Sequence, residues 1–437
     1  MSELLAGYAE VDYTPRLGLP LRGQQRTRLA ERVHDPLTAN AAALRSGDET
    51  VVMVSVDICF LPSDFAKEVQ SRFGERTGIA GERLLVHATH SHVAPVAMTY
   101  HWGEAAPDFV EKLREDVVGV AVEAVGKLEP VTAFSGMGEL EHLGWNRRGM
   151  FADGSSAMHT DCRKPGFIGS EGPRDPHFGV LFTRNVRGAI TGVIASFSTH
   201  PNSVENETYY SADIPGEFRR QLKSLLGPQV TVAYLTGPAG NVSPRVLEPW
   251  SPDQPWMGEE GLKRSGLYMA GEAAKIIASA TEPIADPVLR FEHAELAVPV
   301  RPFPEEGERC YPSFWTDESR DYYMGHKADW PRRMREESPV EVRLNVVRVG
   351  DTVICTNPCE LFVEFGLAIR DASPARVTII GQLFDGYVGY CPTPLAFTRG
   401  GYETWPCQTS LLAPEAGDRI VEATRALLRS AYGGERQ

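Results

Sequence analysis

This chain of 437 residues is short of basic residues: 44 Lys and Arg stand against 58 Asp and Glu, a formal net charge of -14. A nucleic acid or an anionic membrane surface calls for a basic patch, so neither is an expected partner. No run of about 18 apolar residues occurs, so no membrane span is expected. The opening MSELLAGYAEVDYTPRLG has no basic n-region and no apolar h-region, so no secretion signal is expected. The seven cysteines, Cys59, Cys162, Cys310, Cys355, Cys359, Cys391 and Cys407, are odd in number, scattered and free of any CxxC. A reduced, cytoplasmic setting is therefore expected, and a thiolate zinc site is not. There is no internal repeat and no low-complexity tract. The GxSxG elbow of α/β-hydrolases is also missing.

What is present is ordinary for a soluble globular protein: 42% hydrophobic and 23% charged residues. The length suffices for one large domain or two. Residues 7–13 read as a first strand, followed by a Pro/Gly-rich loop to Arg28. Three segments each read as strand, tight turn and strand: 41–56 around Ser46-Gly47-Asp48, 180–194 around Asn185 to Gly188, and 344–354 around Gly350-Asp351. Helical periodicity marks 108–127, 216–226, 261–280, 360–371 and 416–431, with Pro215 suited to a first turn. The expected fold is α/β, with mixed, antiparallel-rich sheets covered by helices. Two stretches read as long irregular insertions: 244–259, with Trp250 and Trp256, and 302–338, with Tyr311, Phe314, Trp315, Tyr322, Tyr323 and Trp330. Their aromatics suit a lid or pocket role.

Five sites could carry chemistry. In residues 84–95, LLVHATHSHVAP, an apolar run meets His87, His90 and His92. If the strand persists, His90 and His92 share a face and His87 takes the other. Such a pair suits a metal site, a paired acid/base site, or plain structural bonding. Residues 194–201 again end an apolar strand in Thr199-His200-Pro201. Residues 235–244 bring a strand into a Gly/Pro/Asn loop with Ser243 at its tip. Such a loop can offer a hydroxyl and backbone N–H groups to an oxyanion, and it is also ordinary turn chemistry. In residues 356–360 a strand gives way to a helix, with Glu360 in its first turn. Residues 385–393 and 400–403 set Tyr387, Tyr390 and Tyr402 among glycines.

Taken together and in this order, the five sites resemble the catalytic domain of neutral (alkaline, non-lysosomal) ceramidases. That family shows ATHTHSGP, a later His-Pro after a strand, GDVSP, PGEF, and N-x-Y-x-x-Y with R-Y-E. Here these stand at 88–95, 199–201, 240–244, 358–362, 387–390 and 401–403, and the opening residues 7–15 resemble the family's first strand. The resemblance implies Zn2+ held by His90, His200, Glu360 and Tyr390. It implies that His92 hydrogen-bonds the reacting carbonyl or its oxyanion, and that Tyr402 contacts the amide. It ties Ser243 to catalysis, as nucleophile or orienting group, and Arg147, in Asn146-Arg147, to substrate contact. Asp213 falls near the second histidine as a supporting residue. Zinc with two imidazoles and a carboxylate activates water and polarises a carbonyl.

The chain departs from the family in three places. Val93-Ala94-Pro95 stands for Ser-Gly-Pro, and Asn241 stands for Asp. The family's C-terminal immunoglobulin-like domain is not expected, so residues 1–437 read as a single catalytic domain. The expected reaction is zinc-dependent hydrolysis of an amide (N-acyl) bond in a soluble small molecule. Ester or lactone hydrolysis on the same site, or binding without catalysis, are the alternatives. Tyr100, Trp102, Trp145, Trp315 and Trp330 would suit a flat or sugar-like group. An amidohydrolase barrel also uses His-x-His after a strand, but needs alternating βα units. A metal-independent serine hydrolase would use Ser243 and resist chelation. The oligomeric state is open, a homo-oligomer included.

Overall fold

A computed structural model describes residues 3–247, 254–312 and 316–433. Two sheets pack face to face, and helices cover both outer faces. The larger sheet has strands β1 (Leu4–Asp12), β2 (Thr38–Ser46), β3 (Glu49–Val56), β4 (Leu84–Ala88), β5 (Glu129–Glu139), β6 (His177–Asn185), β7 (Ile190–Phe197) and β8 (Thr231–Thr236), ordered β8-β7-β6-β5-β1-β2-β3-β4. The smaller has β9 (Leu289–Val298), β10 (Val340–Val349), β11 (Thr352–Thr356) and β12 (Val377–Gly381) in sequence order. All neighbours are antiparallel except β3/β4, β7/β8 and β11/β12. The three expected hairpins are β2/β3, β6/β7 and β10/β11. The described residues form two mixed sheets and no barrel of alternating βα units, which speaks against the amidohydrolase-barrel alternative.

Side-chain alternation sorts the layers. Ala39, Ala41, Ala43, Val52, Val54 and Val56 face helices α1 (Ser63–Thr77) and α2 (Pro107–Gly126). Their neighbours Ala42, Leu44, Val51 and Met53 face the smaller sheet through Val347, Ile354 and Ile379. Phe178, Phe182 and Val193 pack under α3 (Asp213–Leu226) and α4 (Gly258–Ser279). Burying each such phenylalanine stabilises the fold by about 1.5–3 kcal/mol. Helices α6 (Val363–Asp371) and α7 (Ala416–Ala431) close the far face over Leu344, Val346 and Val353. No helix among the described residues is long and apolar enough to cross a membrane.

The structure corrects several expectations. Residues 302–338 are mostly not irregular: α5 (Asp317–Glu336) occupies them and buries Ser319, Tyr323 and Trp330. Trp330 packs with Val300 and Leu411, and Trp256 sits in the core near Tyr268. Neither residue is among those lining the two cavities at the histidine cluster. Trp145 stacks on Arg174 instead. Trp250, Phe314 and Trp315 lie outside the described residues. Helix α1 was not expected. Glu360 begins a short strand, Glu360–Leu361, paired with Tyr390–Cys391, and α6 starts only at Val363. Finally, β4 ends at Ala88, and His90 turns into the left-handed region at φ 75.

Candidate metal centre

The three parallel strand pairs bring their carboxyl ends to one edge of the sandwich, where open α/β sheets hold their ligands. The segment after β4 carries His90 and His92, that after β7 carries His200, and that after β11 carries Glu360. Because β4 has already ended, strand alternation does not set the histidine geometry. The left-handed turn does, and it places His90 and His92 Nε2 atoms 3.3 Å apart. His87, still inside β4, accepts the Thr236 N–H on Nε2 at 3.1 Å. Burial pushes its pKa down to about 3, and it serves the sheet as a neutral structural base.

His90, His200 and Glu360 offer ligand atoms within 4.8 Å of one another, all buried. Glu360 Oε2 lies 3.3 Å from His90 Nε2 and 3.2 Å from His200 Nε2. The opposite ring nitrogens meet backbone carbonyls. His90 Nδ1 faces Cys59 O at 3.0 Å, and His200 Nδ1 faces Ala239 O at 2.6 Å and Val242 O at 3.0 Å. Carbonyls there fix the tautomer, with Nδ1 protonated and Nε2 free to ligate. Tyr387 OH donates to Glu360 Oε1 at 2.7 Å, leaving Oε2 for the centre. Close backbone approach helps build this corner: a Cβ on Gly240 would stand 2.4 Å from the Glu360 carbonyl oxygen.

The charges fit a cation. Burial works against protonating His90, but Cys59 and Glu360 outweigh it and raise its pKa to about 10. Burial also works against an ionised Glu360, yet the two imidazoles hold it well below the usual carboxylate range. Burial, then Arg147, keep His200 well below the usual histidine range. A buried carboxylate thus faces two imidazoles at a place where a divalent ion would balance its charge. Two imidazole nitrogens and a carboxylate are a donor set that zinc takes, and one position stays open for a further ligand.

His92 Nδ1 contacts Glu205 Oε2 at 3.3 Å, and Asn202 Nδ2 donates to the same oxygen at 3.0 Å. Burial lowers the His92 pKa to about 4. Glu205 was not singled out in the sequence, although it lies five residues past His200. Asp213 is buried and accepts the N–H groups of Ser203 and Val204 at 3.2 and 3.1 Å, which shapes the loop carrying Asn202 and Glu205. Tyr390 OH accepts from Arg147 Nη2 at 3.1 Å, and Arg147 Nε donates to Glu403 Oε1 at 2.9 Å. Tyr402 stands edge-on to Tyr390 with ring centroids 5.8 Å apart. Ser243 is fully buried, and its oxygen accepts the Arg245 N–H at 3.0 Å. Asn241 bonds Glu364 and the Val363 N–H, a structural role for the departing residue.

His90, His92, Glu360, Tyr390 and Tyr402 line a narrow cavity together with Arg22, Phe60, Tyr100, Trp102 and Tyr322. A wider outer cavity shares His92, Tyr390 and Tyr402 and adds Arg147, His159 and Asn202. Helix α5 supplies Tyr322 to the inner cavity and Glu318 and Ser319 to the outer, so the segment expected as a lid does form wall. The residues lining these cavities do not include Ser243.

No protein-family model matches the chain, and no curated protein matches it. Solved structures are similar to it, ceramidases among them. Neutral ceramidase from Pseudomonas aeruginosa matches over 100% of this chain and 76% of its own, with TM-score 0.76 and 17% identity. A ceramidase complexed with C2 matches with the same coverage, TM-score 0.74 and 16% identity. The chain therefore has a neutral-ceramidase-like fold, mixed α/β, around a buried His/Glu/Cys candidate metal site.

Proposed function

We propose that this protein is a zinc-dependent hydrolase of an amide (N-acyl) bond in a soluble small molecule. One observation carries the reading: His90, His200 and Glu360 aim three ligand atoms at one point beneath a cavity, with their other polar atoms already tied down. Those three, with Tyr390 as fourth donor, would hold zinc. Bound there, zinc supplies Lewis acidity, lowering a water pKa from about 15.7 to about 7 and polarising a carbonyl.

The chain's own groups do the rest. Glu205 holds His92 Nδ1–H, so Nε2 faces the cavity as a proton acceptor. It takes the proton of the attacking water, hydrogen-bonds the oxyanion, and passes the proton to the leaving nitrogen. Tyr402 contacts the amide; one oxyanion donor is typically worth about 2.7–4 kcal/mol. Arg147, paired with Glu403, holds the Tyr390 hydroxyl and reaches the outer cavity. Ser243 takes the orienting role: its buried hydroxyl stands next to Val242, whose carbonyl orients His200.

The test is release of free amine by the purified, zinc-loaded protein. The panel holds a short-chain ceramide and soluble N-acyl amino sugars, N-acyl amino acids and lactams. The expected result is cleavage of a soluble amide, abolished by chelation and restored by zinc. Cleavage of esters or lactones alone would replace the amide reading. Turnover indifferent to chelation would overturn the metal reading.

A further inference from the structure

The inner cavity is lined by Arg22, which pairs with no carboxylate among the described residues. Arg22 is 7% exposed, and its Nη1 is buried without a hydrogen-bond partner. Its Cζ stands 3.5 Å from the Tyr100 ring centroid and 4.9 Å from that of Phe60. The Phe60 ring in turn lies 4.9 Å from the His90 ring, so one aromatic ring separates the guanidinium from the metal cluster. The loop is held in place. Arg22 N–H donates to Ala94 O at 3.0 Å, and Arg28 Nη2 donates to Arg22 O at 2.9 Å and His92 O at 2.7 Å. Gly23, at φ +113, lies where a Cβ would meet His92 Cβ at 2.5 Å.

The other charged groups on these walls already have partners. Glu360 faces His90 and His200, Glu205 faces His92, and Arg147 faces Glu403. A buried charge is costly unless paired, and ring faces satisfy a guanidinium's charge without using its N–H donors. A planar guanidinium with a free Nη1 donor suits a carboxylate oxygen. The outer cavity repeats the theme: His159 Nε2 and Asn202 Oδ1 are buried without partners, and they suit a polar group better than an alkyl chain.

We infer that Arg22 binds a carboxylate of the substrate, so the amide cleaved belongs to an anionic compound such as an N-acyl amino acid. The inference rests on the cavity being the substrate site of the proposed hydrolase. One bound monoanion neutralises the Arg22 guanidinium and leaves the metal cluster's own charge balance untouched.

The test compares N-acetyl amino acids as free acids with the same compounds as carboxamides. Acetate release by the zinc-loaded full chain is followed, and binding of both forms is measured by calorimetry. The free acid is expected to bind and turn over about 30-fold better or more, the difference falling mainly in KM. Arg22→Met should collapse that ratio toward unity, and Arg22→Lys should recover part of it. Equal handling of acid and carboxamide by the wild-type protein, which needs no variant to fold, would overturn the inference while leaving the hydrolase reading intact. Selective binding of the acid without acetate release would uphold the carboxylate subsite and count against the hydrolase. Loss of stability in Arg22→Met with the ratio unchanged would reduce Arg22 to a structural cation and also overturn it.

Discussion

His87 and His90 lie three residues apart and do different work. Each is buried, yet Nε2 of His87 meets a backbone N–H while Nε2 of His90 meets a carboxylate and a second imidazole. Spacing in the sequence cannot separate them, because the difference is what each nitrogen faces after folding. His87 titrates at about 3 in the fold, against about 6.5 unfolded. Its stabilising contribution is complete above the unfolded value and is lost as pH falls toward the folded one. Relative to His87→Gln, the metal-free wild-type protein should lose about 2 kcal/mol between pH 7 and pH 5. Urea midpoints at the two pH values check this, and a constant difference would contradict it. Tyr387 also escaped assignment, although it stands inside a recognised motif. Its bond to Glu360 Oε1 predicts that Tyr387→Phe weakens zinc affinity by about 10–100-fold, read by competition with a chromophoric chelator.

At the level of elements, the hairpins were legible because each couples alternating apolar runs to a Gly or Asn turn. Five helices were legible from their periodicity. Helix α1 carried a readable signal that went unused: Phe65, Val69 and Phe73 recur every four residues. Helix α5 is different in kind. It buries only Ser319, Tyr323 and Trp330 in 20 residues, and most of the rest are charged, so its pattern reads as loop. Its place is fixed by contacts far away in sequence, such as Trp102 Nε1 donating to Glu318 at 2.6 Å. Helix α3 is tied to the end of β3 by the buried pair Arg219 and Asp57, with two N–O contacts of 2.9 Å. Asp57→Ala leaves that guanidinium buried and unpaired, at a cost of about 3–5 kcal/mol. Urea denaturation measures it, and a loss under about 1 kcal/mol would show that the pair is not what anchors α3.

Over the whole molecule, two sheets turn the ends of three parallel strand pairs toward one corner. His90 and Glu360 meet there although they stand 270 positions apart in the sequence and come from different sheets. No local pattern predicts that meeting. Only the order of the motifs, through their resemblance to the ceramidases, pointed to it. Zinc that binds the folded chain alone should also stabilise it, by about 4.1 kcal/mol at 1,000 times Kd. The most direct measurement is zinc content, with turnover, of the full chain and its Glu360→Ala variant. The account predicts one zinc per wild-type chain, less than about a tenth of that in the variant, and turnover lost with the metal. A Glu360→Ala protein that keeps its zinc, or hydrolyses its substrate at full rate without it, would contradict the account.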